Sequence, residues 1–531
     1  MSETQDPSSP RIHPEGLAEW LRRRAMRAPE RPALSFQGQT WSYGEFQARI
    51  ERTAAMLAAG GVGRGDRVAY LAFNHPCMLV TLFATTRIGA VLVPLNYRLS
   101  AVELRDIVAD AGAQTLIVDE RNRAAIETVR DAMTCTRYLL FGGQSGNWES
   151  LDAALDAAPA SVPPVDGQPD DIAVLMYTSG TTGRPKGVML SNRNFWINNV
   201  NWLLSSDYTS RDVALNMAPL FHVGGLCVVL LVTFMVGGHN ILHDGFDPQN
   251  FLADIERYDV TVTFTVPAMM LFASQHPKFA QTNLSSLRMI VAGGAPVPEP
   301  LLQTYAARKV PVSQCYGMTE ATAGVTFLET ERATTKLGSC GRPGVLTEVK
   351  LIDAEGREIV AADVPGELCM RGGNVTPGYW QMPEATANVL SADGWFRSGD
   401  VARRDAEGFY TICDRTKDMI ISGGENIYSA EVESALYAHP AIAEVAVIGI
   451  PDDKWGETVL AIAVLKTGQT LSLESLRDFA ALSLARFKLP RALEIVDAMP
   501  RNSNGKVQKP ELRQRFAKAR LQSTSAPPPL R

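Results

Sequence analysis

This chain holds no run long and apolar enough to cross a bilayer as a helix. Its longest apolar run, LCVVLLVTFMV at 226–236, falls well short of the roughly 20 residues a span requires. The run reads as a buried helix or strand, and no integral membrane segment is expected. Cysteine is sparse: Cys77, Cys135, Cys227, Cys315, Cys340, Cys369 and Cys413 are scattered singly, without CxxC spacing. That excludes a disulfide scaffold and fits a reducing compartment. Charge is nearly balanced at −6, with no long run of Lys or Arg, so a surface that tracks nucleic acid is not expected. The opening residues, MSETQDPSSPRIHPEG, are polar and Pro-rich and lack the apolar core of a secretory signal. A cytoplasmic location is expected.

What is present is ample core-forming material. The chain has 531 residues, of which 46% are hydrophobic and 20% charged. Single cores stop growing at roughly 250–300 residues, so two or more domains are expected. From about 17 to 120, amphipathic stretches such as GLAEWLRRRAMRAP alternate with short apolar runs such as RVAYLAF, as in helices layered on a sheet. TVTFTVP and LRMIVAGGAP read as strands, and PEPLLQTYAARK as a helix. Beyond Gly366 short strands such as GELCMRG and GFYTICD suggest a smaller β-rich subdomain. Around Lys417 the pattern changes again, and AEVESALYAH, AEVAVIGIP, TVLAIAVLK and LESLRDFAALSLA read as helix, strand, strand and helix.

The segment with the most chemical content is YTSGTTGRPKG at 177–187, directly after the strand-like DIAVLM. Hydroxyls at Thr178, Ser179, Thr181 and Thr182, glycines at Gly180, Gly183 and Gly187, and the Lys186 ammonium are what a phosphate-wrapping loop requires. Glycine lets backbone N–H groups approach oxyanions, hydroxyls add donors, and the lysine adds charge. Pro185 stands where a Walker A loop needs its second glycine, which disfavours a P-loop kinase or ATPase. A plain Ser/Thr/Gly surface turn is the competing reading.

The string resembles the phosphate loop of the AMP-forming adenylate superfamily, which includes acyl-CoA synthetases. Further segments of that family follow in its order: PLFHVGG at 219–225, AGGAPVP at 292–298, YGMTE at 316–320, DGWFRSGD at 393–400, DRTKDMIISGGENIYSAEVE at 414–433 and PRNSNGKVQK at 500–509. The resemblance implies that His222 lies beside the reacting carboxylate, and that the turn containing Gly294 and Ala295 lies against adenine and the acyl carbonyl. It implies that Tyr316 stacks on adenine, Thr319 donates to the α-phosphate and Glu320 holds Mg2+ through oxygen. Asp400 and Arg415 would take the ribose, and Lys417 would be the hinge. Gly423 and Gly424 would line the pantetheine tunnel, and Lys506 would bridge carboxylate and α-phosphate. Two positions depart from the pattern: Cys315 where Gly is common, and Ser398 where Thr is commoner.

The resemblance further implies an α/β fold: a large N-terminal domain of helix-flanked sheets with a β-rich subdomain, 1–416, and a small mobile α+β C-terminal domain, 417–531. The implied reaction consumes ATP with Mg2+ to form an acyl-adenylate, then transfers the acyl group to coenzyme A. No protein nucleophile is needed, in keeping with the lack of a GxSxG elbow. The apolar stretch after His222 leans toward a medium- or long-chain fatty acid. Aryl acids of the coumarate or ferulate type, and loading of a carrier protein, are the alternatives within enzymes. A regulatory nucleotide binder with a decayed site is the alternative from another class. A monomer or homodimer is expected.

Overall fold

The structure is a computed structural model that describes residues 15–144, 146–162, 167–178, 185–422, 425–452, 454–501 and 507–523, the last of these with side chains only to 516. Four sheets organise them. One is nine-stranded, with the order Arg342–Pro343, Thr326–Phe327, Val312–Tyr316, Met289–Ala292, Val262–Thr265, Val213–Asn216, His239–Leu242, Pro32–Phe36 and Gln39–Ser42. It is parallel from Val312–Tyr316 to Pro32–Phe36, with antiparallel pairs at both ends. A seven-stranded sheet runs Glu149–Ser150, Arg137–Phe141, Thr115–Asp119, Arg67–Leu71, Val91–Pro94, Ile172–Thr178 and Lys186–Ser191. Only its last pair is antiparallel.

Strand alternation explains why the two large sheets are covered on both faces. Val68 and Tyr70 face a core shared between the sheets, whereas Ala69 and Leu71 face a second core on the outer side. The shared core takes in Phe46, Phe83, Phe195 and Phe234 from four helices, together with strand residues from both sheets. Helices Pro248–Arg257 and Glu299–Ala307 cover the outer face of the nine-stranded sheet. Local sequence sets the helix starts: Ser42 with Glu45, Ser100 with Glu103, and Ser191 with Asn194 form capping boxes.

The β-rich subdomain is a four-stranded antiparallel sheet, Thr347–Ile352, Gly366–Gly372, Phe396–Arg404 and Tyr410–Arg415. It begins a strand earlier than the composition change at Gly366 suggested. The small C-terminal domain contains the expected helix Ser429–Tyr437, strands Ile442–Asp452 and Gly456–Leu465, and helix Leu473–Ala480. It adds a parallel strand, Ala492–Ile495, and a final helix, Lys509–Ser523, neither of which the sequence pattern disclosed. All seven cysteines are free thiols. Among the described residues no helix is long and apolar enough to cross a membrane. The apolar run forms two short helices, Val223–Cys227 and Leu230–Val236.

Candidate active site

In parallel sheets with helical crossovers, ligands gather at the carboxyl ends of the strands. Strands Val213–Asn216, Val262–Thr265, Met289–Ala292 and Val312–Tyr316 deliver His222, Phe264, the Gly293–Gly294 turn and Tyr316 to one such edge. Gly294 has φ +83 and needs glycine's freedom there. Gly294 and Ala295 are exposed on this edge, and Gln314 Oε1 holds their turn by accepting from Val297 N at 3.2 Å.

At one side of the edge, Tyr316 Oη donates to Asp400 Oδ2 at 2.7 Å. Asp400 and Arg415 oppose one another across antiparallel strands, with Arg415 Nε 3.3 Å from Asp400 Oδ1. The three groups expected to share the nucleoside are thus already together. Burial, followed by the neighbouring Asp400 charge, pushes the Tyr316 phenol well above its ordinary range. The hydroxyl of Ser398 is engaged by the protein itself: it donates to Leu368 O at 2.6 Å and accepts from Asp400 N at 3.0 Å. Serine therefore serves as threonine would.

A second cluster surrounds Lys186, the lysine expected to meet phosphate. Thr178 and Lys186 are register partners at the end of their ladder, so they close the base of the loop between them. Ser179, Gly180, Thr181, Thr182 and Gly183 lie outside the described residues. Lys186 Nζ sits 4.8 Å from the centroid of the Tyr379 ring, and Tyr379 Oη donates to Glu320 Oε1 at 2.9 Å. Burial raises the Glu320 carboxyl above the usual glutamate range, and the Tyr379 hydrogen bond and Lys186 charge oppose that rise. Thr319, also buried, opens the 3-10 turn that carries Glu320. Trp380 continues this cluster: its Nε1 donates to Asp110 O at 3.2 Å, its indole lies under Arg67, and a β-carbon at Gly187 would come 3.3 Å from its side chain.

The turn after Glu320 is held in an uncommon conformation, with Thr322 at φ 53 and Ala323 at φ 85. Buried amides over-determine it. Asn374 Nδ2 donates to Gly324 O at 2.8 Å, Thr322 Oγ1 donates to Asn374 O at 2.8 Å, and Asn198 Oδ1 accepts from Gly324 N at 3.2 Å. Asn201 Nδ2 reaches Thr347 Oγ1 at 2.9 Å, which in turn donates to Asn374 Oδ1 at 2.8 Å. Strained turns persist where surrounding hydrogen bonds fix them.

His222, expected beside the acyl carboxylate, caps the helix Val223–Cys227, its Nδ1 accepting from Gly224 N at 3.2 Å. The Phe264 ring lies flush with the backbone of two glycines. A β-carbon at Gly224 would sit 3.0 Å from the ring, and one at Gly293 would sit 3.4 Å from the ring and 2.8 Å from Cys315 Sγ. Cys315 is half-buried although its strand is interior, and its Sγ lies beside Gly293. Burial pushes its thiol up to about 12, which keeps it neutral.

Lys417 occupies the turn Arg415–Met419, closed by Asp418 N and Met419 N donating to Arg415 O. Burial and then the Arg415 charge lower its ammonium below the ordinary lysine range. Gly423, Gly424 and Lys506 lie outside the described residues. Their flanks are placed: strands Ile420–Ser422 and Glu425–Ile427 pair around the glycines, and Arg501 bridges Val507 below the loop of Lys506. Among the described residues no group of three or more His, Cys, Asp or Glu could cage a metal. Glu320, single and buried, fits a cation held chiefly by phosphate oxygens.

Sequence reasoning passed over Tyr379, Trp380, Asn198, Asn201 and Asn374. The string GGNVTPGYW was the available signal for three of them, a Gly-rich turn ending in two aromatics.

The pattern of the AMP-binding enzyme family matches residues 21–380, and that of the AMP-binding enzyme C-terminal domain matches 431–506. A feruloyl-CoA synthase of Amycolatopsis sp. is 44% identical over 502 residues, covering 94% of this chain and 99% of its own. A long-chain-fatty-acid–CoA ligase of Mycobacterium tuberculosis is 36% identical over 479 residues, covering 90% of this chain and 93% of its own. The solved o-succinylbenzoate CoA synthetase of Bacillus subtilis, in complex with its acyl-adenylate intermediate, superposes with a TM-score of 0.83 at 34% identity, covering 93% of this chain and 97% of that one. With family patterns matching most of the chain and relatives of this identity covering nine-tenths or more of it, the chain belongs to the AMP-binding enzyme family and is an AMP-forming acyl-CoA ligase.

Proposed function

We propose that this ligase activates an aromatic carboxylic acid of the hydroxycinnamate class to its adenylate and transfers the acyl group to coenzyme A. The observation that carries the aromatic reading is the Phe264 ring set between the bare backbones of Gly224 and Gly293, with Cys315 Sγ beside them. A planar substrate ring would meet the Phe264 ring favourably. The 44% identity to a feruloyl-CoA synthase, against 36% to a fatty-acid ligase, supports the same reading. The feature that favoured an aliphatic tail has another use. Residues Leu226 to Phe234 are at most 2% exposed and pack in the core shared by the two large sheets.

In the first step a carboxylate oxygen forms a bond to the α-phosphorus of ATP, and the bond to the β-phosphate oxygen breaks, releasing pyrophosphate. The residues of this reading perform alignment and charge neutralisation, the usual content of catalysis in phosphoryl and nucleotidyl transfer. Tyr316 flanks adenine, while Asp400 and Arg415 hold the ribose. Thr178, Ser179, Gly180, Thr181, Thr182 and Gly183 wrap the β- and γ-phosphates with Lys186, and Thr319 donates to the α-phosphate. Mg2+, held by Glu320 and phosphate oxygens, would supply charge neutralisation on the departing pyrophosphate. Lys506 offsets repulsion between the carboxylate and the α-phosphate, about 4 kcal/mol at 4 Å in an effective dielectric of 20. His222 orients the acyl carboxylate.

In the second step the thiol sulfur attacks the acyl carbonyl and AMP leaves. The chain divides at 416/417, the small domain turns about Lys417, and the segment with Gly423 and Gly424 lines the approach of the thiol. Pyrophosphate release measured across hydroxycinnamates and aliphatic acids of graded length tests the substrate class. Hydroxycinnamates should exceed the best aliphatic acid in kcat/KM by tenfold or more, a margin of roughly 1.4 kcal/mol; the reverse order refutes it. Product assay with free CoA against a phosphopantetheinylated carrier tests the acceptor.

A further inference from the structure

The strand Tyr410–Arg415 leaves the four-stranded sheet just before Lys417, and a buried chain of polar contacts lies across this junction. Asp414, 7% exposed, accepts at one oxygen from both the backbone N–H and the hydroxyl of Ser429, the latter at 2.6 Å. Ser429 is fully buried and opens the helix Ser429–Tyr437. The Asp414 carboxylate therefore meets the helix end where N–H groups are unpaired and the dipole favours an anion. Lys509 Nζ lies 2.6 Å from the same Ser429 hydroxyl and 2.8 Å from Glu433. Lysine can only donate. The Ser429 oxygen thus accepts from Lys509 while its own hydrogen goes to Asp414.

Lys509 opens the final helix three residues after Lys506, and the base of the Lys506 loop is closed by Gln508 N donating to Pro500 O at 2.8 Å. One turn further along that helix, Arg513 pairs with Asp418 at 2.8 Å, beside Lys417. Between them Leu512 is fully buried, packed in one cluster with Ile448 and Leu460. The final helix is tied to both sides of the turn at Lys417.

We propose that Ser429 is a positioning residue for adenylation, joining Asp414, ahead of the turn, to Lys509 at the foot of the Lys506 loop. The proposal rests on the two-step reading above. It makes Ser429 matter to the half-reaction that needs Lys506 and not to binding of ATP.

Three variants of the full chain test it. Ser429→Pro removes the N–H and the hydroxyl together, yet proline is accepted at the first position of a helix. Ser429→Ala removes the hydroxyl alone, and Ser429→Thr restores it. Pyrophosphate exchange reports adenylation, and single-turnover thioester formation from preformed acyl-adenylate reports the second step. Adenylation should fall about tenfold in Ser429→Ala and further in Ser429→Pro, as loss of a charge-assisted hydrogen bond allows. Thioester formation and the KM for ATP should stay within about twofold of wild type, a margin under ~0.5 kcal/mol. Ser429→Thr should return adenylation to near the wild-type rate. Equal loss of both half-reactions, no loss of either, or failure of threonine to rescue overturns the role of Ser429 alone. A wild-type chain that performs neither half-reaction overturns the two-step reading and the proposal with it.

Discussion

Glu320 is buried, and its carboxyl is held above the ordinary glutamate range by that burial. Because the folded value is raised, its contribution to stability is fully present below the ordinary range and is lost as pH rises through the raised value. At pH 8 the ligand-free enzyme carries the cost. Glu320→Gln should raise its melting temperature by about 2 °C, on the order of 1 kcal/mol, while removing most of the added stabilisation conferred by ATP with Mg2+. Thermal shift with and without nucleotide checks both halves. Cys315→Gly should open the wall beside Gly293 and raise kcat/KM for acids with bulkier ring substituents by about tenfold, in keeping with one to two carbon-sized groups of extra room. A substrate series assayed by pyrophosphate release measures it. At this scale the residues legible in advance were those whose chemistry is local to a motif. Tyr379 and Asn374 were not, because the partners that give them meaning stand 59 and 53 positions away, at Glu320 and Ala321. Only the fold brings those pairs together.

Helix Pro76–Arg87 begins at His75, whose Nδ1 accepts from Cys77 N at 3.1 Å while its ring packs against Phe36 and Phe141. Burial lowers its pKa to about 4. A depressed value means that the stabilisation is present above the unfolded pKa, near 6.5, and is lost as pH falls toward 4. His75→Asn keeps a capping acceptor and removes the titration. Its stability, measured by denaturant at a series of pH values, should be flatter between pH 6.5 and 4 by about 2–3 kcal/mol. Element types were readable where periodicity was clear, as in the strands Val262–Thr265 and Met289–Ala292. The apolar run at 226–236 carried no period to separate strand from helix, and burial on all sides explains why. Strand Thr347–Ile352 escaped notice because its exposed Glu348 and half-buried Lys350 interrupt any apolar signal. The final helix is equally opaque, since KPELRQRFAK has few apolar positions and docks through Leu512, Lys509 and Arg513.

The whole molecule carries Asp400 and Arg415 on the four-stranded sheet and Tyr316 on the adjoining large sheet, whereas Lys506 belongs to the stretch of chain beyond Lys417. Proline at 417 would fix φ and remove a backbone donor in the connecting turn. Lys417→Pro should leave pyrophosphate exchange within about tenfold of wild type and reduce acyl-CoA formation by about a hundredfold or more, as expected when a domain motion rather than chemistry is blocked. Parallel loss of both activities would count against motion at this position. Sequence order made the two-part plan visible, because the motifs fall on either side of Lys417, but gave no sign of how the parts are fastened. Trp380 is one such fastening, joining Arg67 of the seven-stranded sheet and Asp110 of the helix Ala101–Ala111 packed on it to the segment that leaves the four-stranded one, beside Gly187. An indole in that place doubles as an optical probe: its emission should respond when triphosphate binds beside Lys186, and Trp380→Phe should silence that response, giving a label-free readout of nucleotide occupancy in the unmodified enzyme.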